Sequence, residues 1–181
     1  MKKVLLALAL MVLLSMLASA ENDSVTTGPY RVSFDLGLPH DTYNVTVQPP
    51  TETETLRGDK VRDYTIEIII KNGSGAIGGG AIKIRQCNLE TPLTPEEMVR
   101  GIREGLIKLG LINVETSTRE IDGTAGAIGV GEGPTSGLDY KYYVASYYPS
   151  HDSLVTVSSL YPWDEGTLQL LKTIHIEMVT K

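Results

Sequence analysis

Three histidines, His40, His151 and His175, are the side chains able to trade a proton near neutral pH. None has a second histidine close in sequence, so the spacing of a zinc site is absent. His40-Asp41 and His151-Asp152 fall in stretches rich in turn formers, where aspartate favours the turn itself. His175 and Glu177 share a face if that segment is extended, which makes a weak metal pair; an ordinary solvated face is the simpler expectation. Cys87 is the single cysteine and ends an apolar-alternating run, which predicts a small buried side chain. As a nucleophile it would need a base beside it. There is no G-x-S-x-G elbow for a serine. The glycine stretches 73–80 and 129–133 lack the G-K-[ST] ending and the G-x-G-x-x-G spacing of phosphate loops. These residues predict no catalytic set, no metal site and no cofactor.

The distinctive feature is tyrosine. Of nine tyrosines, Tyr140, Tyr142, Tyr143, Tyr147 and Tyr148 fall within one short stretch. In a strand, Tyr140, Tyr142 and Tyr148 share one face with Val144, and Tyr143 and Tyr147 the other. Two such rows are not both buried easily with their hydroxyls satisfied, so one row is expected to be partly open. Tyrosine offers flat apolar area with a hydrogen-bonding tip, suited to a protein, peptide or sugar ligand. Tyrosine also simply favours half-buried strands.

The segments that must position these residues begin after an export signal. Lys2 and Lys3 precede an apolar run over residues 4–17, and Ala18-Ser19-Ala20 is a small-x-small cleavage site. The run is shorter than the roughly 20 residues of a spanning helix. The expectation is a signal peptide over residues 1–20, a loose tail over 21–28 and one domain over 29–181, with no membrane span after cleavage. The predicted location is the exterior or the cell envelope. Asn22, Asn44 and Asn72 each open an N-x-[ST] sequon and are glycan candidates in an exported chain. The net charge of −6 becomes −8 once Lys2 and Lys3 are removed, which argues against nucleic acid as a partner.

Periodicity supplies the elements. Residues 30–36, 43–47 and 62–71 alternate as strands, and residues 51–59 are polar and predict a loop. Ile69 interrupts the polar side of the third strand and predicts burial on both faces. Residues 81–87 return after Gly78-Gly79-Gly80, a hairpin end or bulge. Over residues 93–110 a helix is punctuated by Thr94 at the N-cap, Pro95 at N1, Glu97 at N3 and Gly110 at the end. Its apolar stripe is Met98, Ile102, Leu106 and Leu109; Gly101 and Gly105 beside the stripe predict a close approach to a sheet. Strands then follow over 112–121, 124–130, 138–148 and 154–160, with a hairpin at Asp122-Gly123. A second helix spans about 163–173, and residues 174–178 suit either a last strand or more helix. The order implies an α+β protein: an antiparallel sheet flanked by two helices.

Thr94-Pro95-Glu96-Glu97 at the helix start, Ile121-Asp122-Gly123 at the hairpin, the tyrosine-rich strand, and Ser159-Leu160-Tyr161 running into Trp163 come in a telling order. Over about residues 30–178 the chain resembles the PsbP/Mog1-like fold. The resemblance implies an antiparallel sheet flanked by helices and an accessory or binding role. It carries no shared catalytic residues, so none is transferred. Some exported members are lipid-anchored, and no cysteine stands at the cleavage point here. The expected function is an exported, non-catalytic accessory or binding protein. The alternatives are a hydrolase or thiol enzyme with dispersed residues, and a structural cell-surface component.

Overall fold

The computed structural model describes residues 23–54, 60–72, 75–86, 92–133, 141–160 and 164–179. The signal at 1–20, Asn22, Cys87, Tyr140 and Trp163 lie outside the described residues.

The strands are β1 (Asp23–Thr27), β2 (Tyr30–Phe34), β3 (Tyr43–Val47), β4 (Thr51–Glu54), β5 (Lys60–Asn72), β6 (Gly75–Gln86), β7 (Ile112–Ile121), β8 (Thr124–Glu132), β9 (Lys141–Ser150), β10 (Ser153–Leu160) and β11 (His175–Met178). The helices are α1 (Pro95–Lys108) and α2 (Asp164–Thr173). An eight-stranded antiparallel sheet runs β3-β5-β6-β10-β9-β8-β7, with β4 also on β5; a three-stranded sheet runs β1-β2-β11. The protein is α+β.

Alternation on the long strands builds the main core. Tyr64, Ile66, Ile68 and Ile70 of β5, Ile82 and Ile84 of β6, and Val155 and Val157 of β10 are buried on one face of the large sheet. Val32 and Phe34 of the small sheet, with Leu170 and Leu171 of α2, close over them. On the opposite face, Met98, Ile102 and Leu106 of α1 pack with Ala127 and Tyr148 in a second, smaller core. The two helices therefore sit on opposite faces of the large sheet.

α1 begins where its caps place it. Thr94 Oγ1 accepts from the Glu97 amide at 3.2 Å, and Glu97 Oε2 accepts from the Thr94 amide at 2.8 Å. Gly110 follows the helix with φ +80°, the left-handed end that glycine permits. The β7–β8 turn has Asp122 and Gly123 at φ +52° and +68°, the geometry of a two-residue hairpin.

Several expectations are corrected. The presumed tail is partly strand: β1 pairs with β2 along its whole length, and Thr27 is buried. Part of the presumed loop is β4, opposite residues 60–63 of β5. β3 and β4 lie end to end on the same edge of β5, interrupted at Pro49-Pro50, which have no amide proton for the ladder. Of the two expectations for the glycines 78–80, the hairpin end is wrong, since they lie within β6, and the bulge agrees with the register shift against β5 between Ile70 and Lys71, beside Gly78. A Cβ at Gly80 would stand 2.6 Å from the Ser158 carbonyl oxygen of β10. Ile69 remains 38 % exposed, because α1 does not extend over β5. Of the two readings left open for residues 174–178, the structure has the strand, over 175–178 and joined to β2.

The helix glycines differ most. A Cβ on Gly101 or Gly105 would meet nothing within 4 Å. Close approach is made instead by the sheet: a Cβ on Gly129 of β8 would stand 2.5 Å from Ile102 Cγ2 and 2.9 Å from Leu106 Cδ1. Leu109, expected on the buried stripe, is 67 % exposed.

Candidate functional site

Because α1 packs over β7, β8 and the near side of β9, a gap is left between its other flank and the sheet. This groove has a volume of about 530 Å³, within the range of small-molecule sites. Gly101 and Gly105 form its helix wall, with Leu93 and Leu109 at the rim. Tyr142, Val144 and Ser146 of β9 and Leu154, Thr156 and Ser158 of β10 form its floor. Thr156 lies opposite Ser146 in the β9–β10 register, with their hydroxyls 3.3 Å apart. Each glycine costs the helix about 1 kcal/mol against alanine. The consequence of that cost is space.

The next strand over is ionic. Lys83 of β6 lies opposite Thr156, and both Lys83 and Arg85 engage Asp63 of β5. Arg85 donates twice to the carboxylate, at 2.7 and 2.8 Å. These bonds, chiefly, hold the Asp63 carboxyl below the usual range although burial opposes it.

Among the described lining residues there is no histidine to activate Ser146, Thr156 or Ser158. The one carboxylate, Glu97, is committed to capping α1. Tyr142 is the floor residue that the tyrosine pattern singled out; nothing in the sequence marked Ser146, Thr156 or Ser158. The helix glycines were the legible signal, and they pointed to the wrong neighbour.

The tyrosines divide by depth. Tyr142 lines the groove; Tyr142 and Tyr143 are half-buried, and Tyr147 and Tyr148 are buried. The Tyr147 hydroxyl has no hydrogen-bond partner among the described residues. Burial first, and the Asp122 carboxylate second, push its pKa well above the ordinary range, so it stays protonated. A buried donor without an acceptor costs stability. Tyr147→Phe is therefore expected to leave the urea midpoint unchanged or raise stability by about 1 kcal/mol; a clear loss would mean the hydroxyl has an acceptor.

The histidines do not converge. His40 Nδ1 lies 2.8 Å from the Tyr43 hydroxyl, which donates to Asp23 at 2.6 Å and ties β1 to β3. His151 stands exposed in the β9–β10 turn. His175 and Glu177 do share the exposed face of β11, but bind elsewhere: His175 Nδ1 to Asp122 at 2.7 Å, Glu177 to Arg31 at 2.9 Å. The Asp122 bond and charge raise the His175 pKa above its ordinary value. No group of three metal-ligating side chains occurs among the described residues. Asn44 is exposed on β3, its side-chain oxygen accepting from Lys71 Nζ at 2.6 Å; Asn72 ends β5.

No helix among the described residues is long and apolar enough to cross a membrane. No family model matches the chain, and no curated protein matches it.

Proposed function

We propose that this is an exported, non-catalytic accessory protein of the cell envelope or exterior that binds an amphipathic small molecule in the groove between α1 and strands β9 and β10. The observation that carries the reading is the open wall at Gly101 and Gly105, where side chains would otherwise fill the gap. Aliphatic walls with four hydroxyl side chains on the floor, Tyr142 among them, fit an apolar ligand body carrying a hydrogen-bonding group. Tyr142 brings the tyrosine strand into the same surface. The resemblance to the PsbP/Mog1-like fold agrees with an accessory role, and the sequence of the first twenty residues agrees with export.

The test uses 1-anilinonaphthalene-8-sulfonate, an apolar dye with a polar end. Native protein is expected to bind it saturably with enhanced fluorescence. Gly105→Leu fills the groove while favouring the helix, so it is expected to weaken binding at least tenfold with the fold intact. Equal dye affinity in native protein and Gly105→Leu would sink the proposal.

A further inference from the structure

The opposite flank of α1 leads to a different surface. β7 ends the large sheet: it pairs with β8, and its other side has no strand partner among the described residues. An uncovered ten-residue edge is a template for another strand. β7 contains none of the proline or lysine that commonly blunts such edges. Its one irregularity lies between Ile112 and Glu115, and from Glu115 to Ile121 the register with β8 is unbroken.

We propose that two copies of this chain pair through β7, antiparallel, with Ser117 on the twofold axis. The register follows from side-chain direction and charge. Thr116 lies opposite Gly129, beneath α1, so the even-numbered residues face the helix and Glu115, Ser117 and Arg119 face the other way. A twofold axis through the joined sheet sets residues of the same face opposite one another. Centring on Glu115 or Arg119 would put like charges together. Centring on Thr116 or Thr118 sets Glu115 against an uncharged residue. Centring on Ser117 places Glu115 opposite the partner's Arg119, and Arg119 opposite the partner's Glu115. It also pairs Thr116 with the partner's Thr118, a favourable cross-strand match.

Within one chain the same charges do not satisfy each other. Four residues along a strand separate Glu115 and Arg119 by roughly 13 Å. Neither has an ion-pair partner among the described residues. Apolar surface also flanks the edge: Ile112, the first residue of β7, and Ile107, on the side of α1 away from the glycines, are each 51 % exposed. A second copy brings cover to this side of the molecule.

The test is the mass of the purified chain by sedimentation equilibrium over a range of concentrations. Native protein is expected to form a dimer. By symmetry, Glu115→Arg or Arg119→Glu converts both charge pairs to repulsions, so either is expected to raise the dissociation constant about tenfold or more. The exchanged variant, Glu115→Arg with Arg119→Glu, restores both pairs and is expected to restore the dimer; its circular dichroism should match the native chain. A native chain that is monomeric throughout would overturn the proposal. So would a dimer indifferent to the single reversals, or one that the exchange fails to restore. Dye binding in the groove is on the other flank of α1 and is expected to be unchanged in all three variants.

Discussion

Gly129→Ala is expected to destabilise the protein by about 1–3 kcal/mol, whereas Gly101→Ala and Gly105→Ala are each expected to stabilise it by about 1 kcal/mol. The three glycines belong to the same helix–sheet pair, so the opposite signs report where contact is made. On β8, the new methyl would stand 2.5 Å from Ile102 Cγ2 and 3.0 Å from Thr116 Cγ2. Ile102 is β-branched, and that methyl is held close to the helix backbone. Relief requires moving α1 away from the sheet or forcing Ile102 off its rotamer, and either loosens the smaller core. On α1, the new methyls point into open space. There the change removes only the backbone entropy that glycine loses in a helix. The helix double variant should raise the melting temperature by roughly 4–8 °C. Thermal and urea unfolding of the three single variants measures this directly. A neutral Gly129→Ala would mean that α1 does not press on β8, and a destabilised Gly101→Ala that its flank is not open.

Leu106→Ala should cost about 2–5 kcal/mol, while Leu109→Ala should change stability by no more than about 0.5 kcal/mol. Leu106 is 1 % exposed and rests on Gly129, in a cluster too small to close over a lost side chain. Leu109 follows three residues later and completes the same apolar stripe in sequence, yet it is 67 % exposed at the groove rim. Its truncation should appear in ligand affinity instead. Urea midpoints separate the two substitutions; similar losses would place Leu109 against the sheet and shut the groove.

The features legible in the sequence are those with a local origin. The start of α1 was legible because Thr94, Pro95 and Glu97 satisfy orphan amides within one turn. The β7–β8 hairpin was legible because Asp122 and Gly123 tolerate the positive φ that its turn demands. The buried side of β5 was legible because Tyr64, Ile66, Ile68 and Ile70 alternate.

Features that depend on a distant partner emerge only in the folded chain. Residues 51–54 carry no apolar pattern of their own, and become strand because β5 offers an unpaired edge beyond Pro49-Pro50. Asp23–Thr27 becomes strand in the same way, through β2. Ile69 was apolar enough to suggest a second buried face, but burial requires a layer on that side, and α1 lies over other strands. The groove shows the limit most plainly. Two glycines mark a helix flank as narrow, and whether narrowness means contact or vacancy depends on which strands lie beneath it. Here Gly129 on β8 takes the contact, and the flank of α1 with Gly101 and Gly105 is left facing the hydroxyls of β9 and β10.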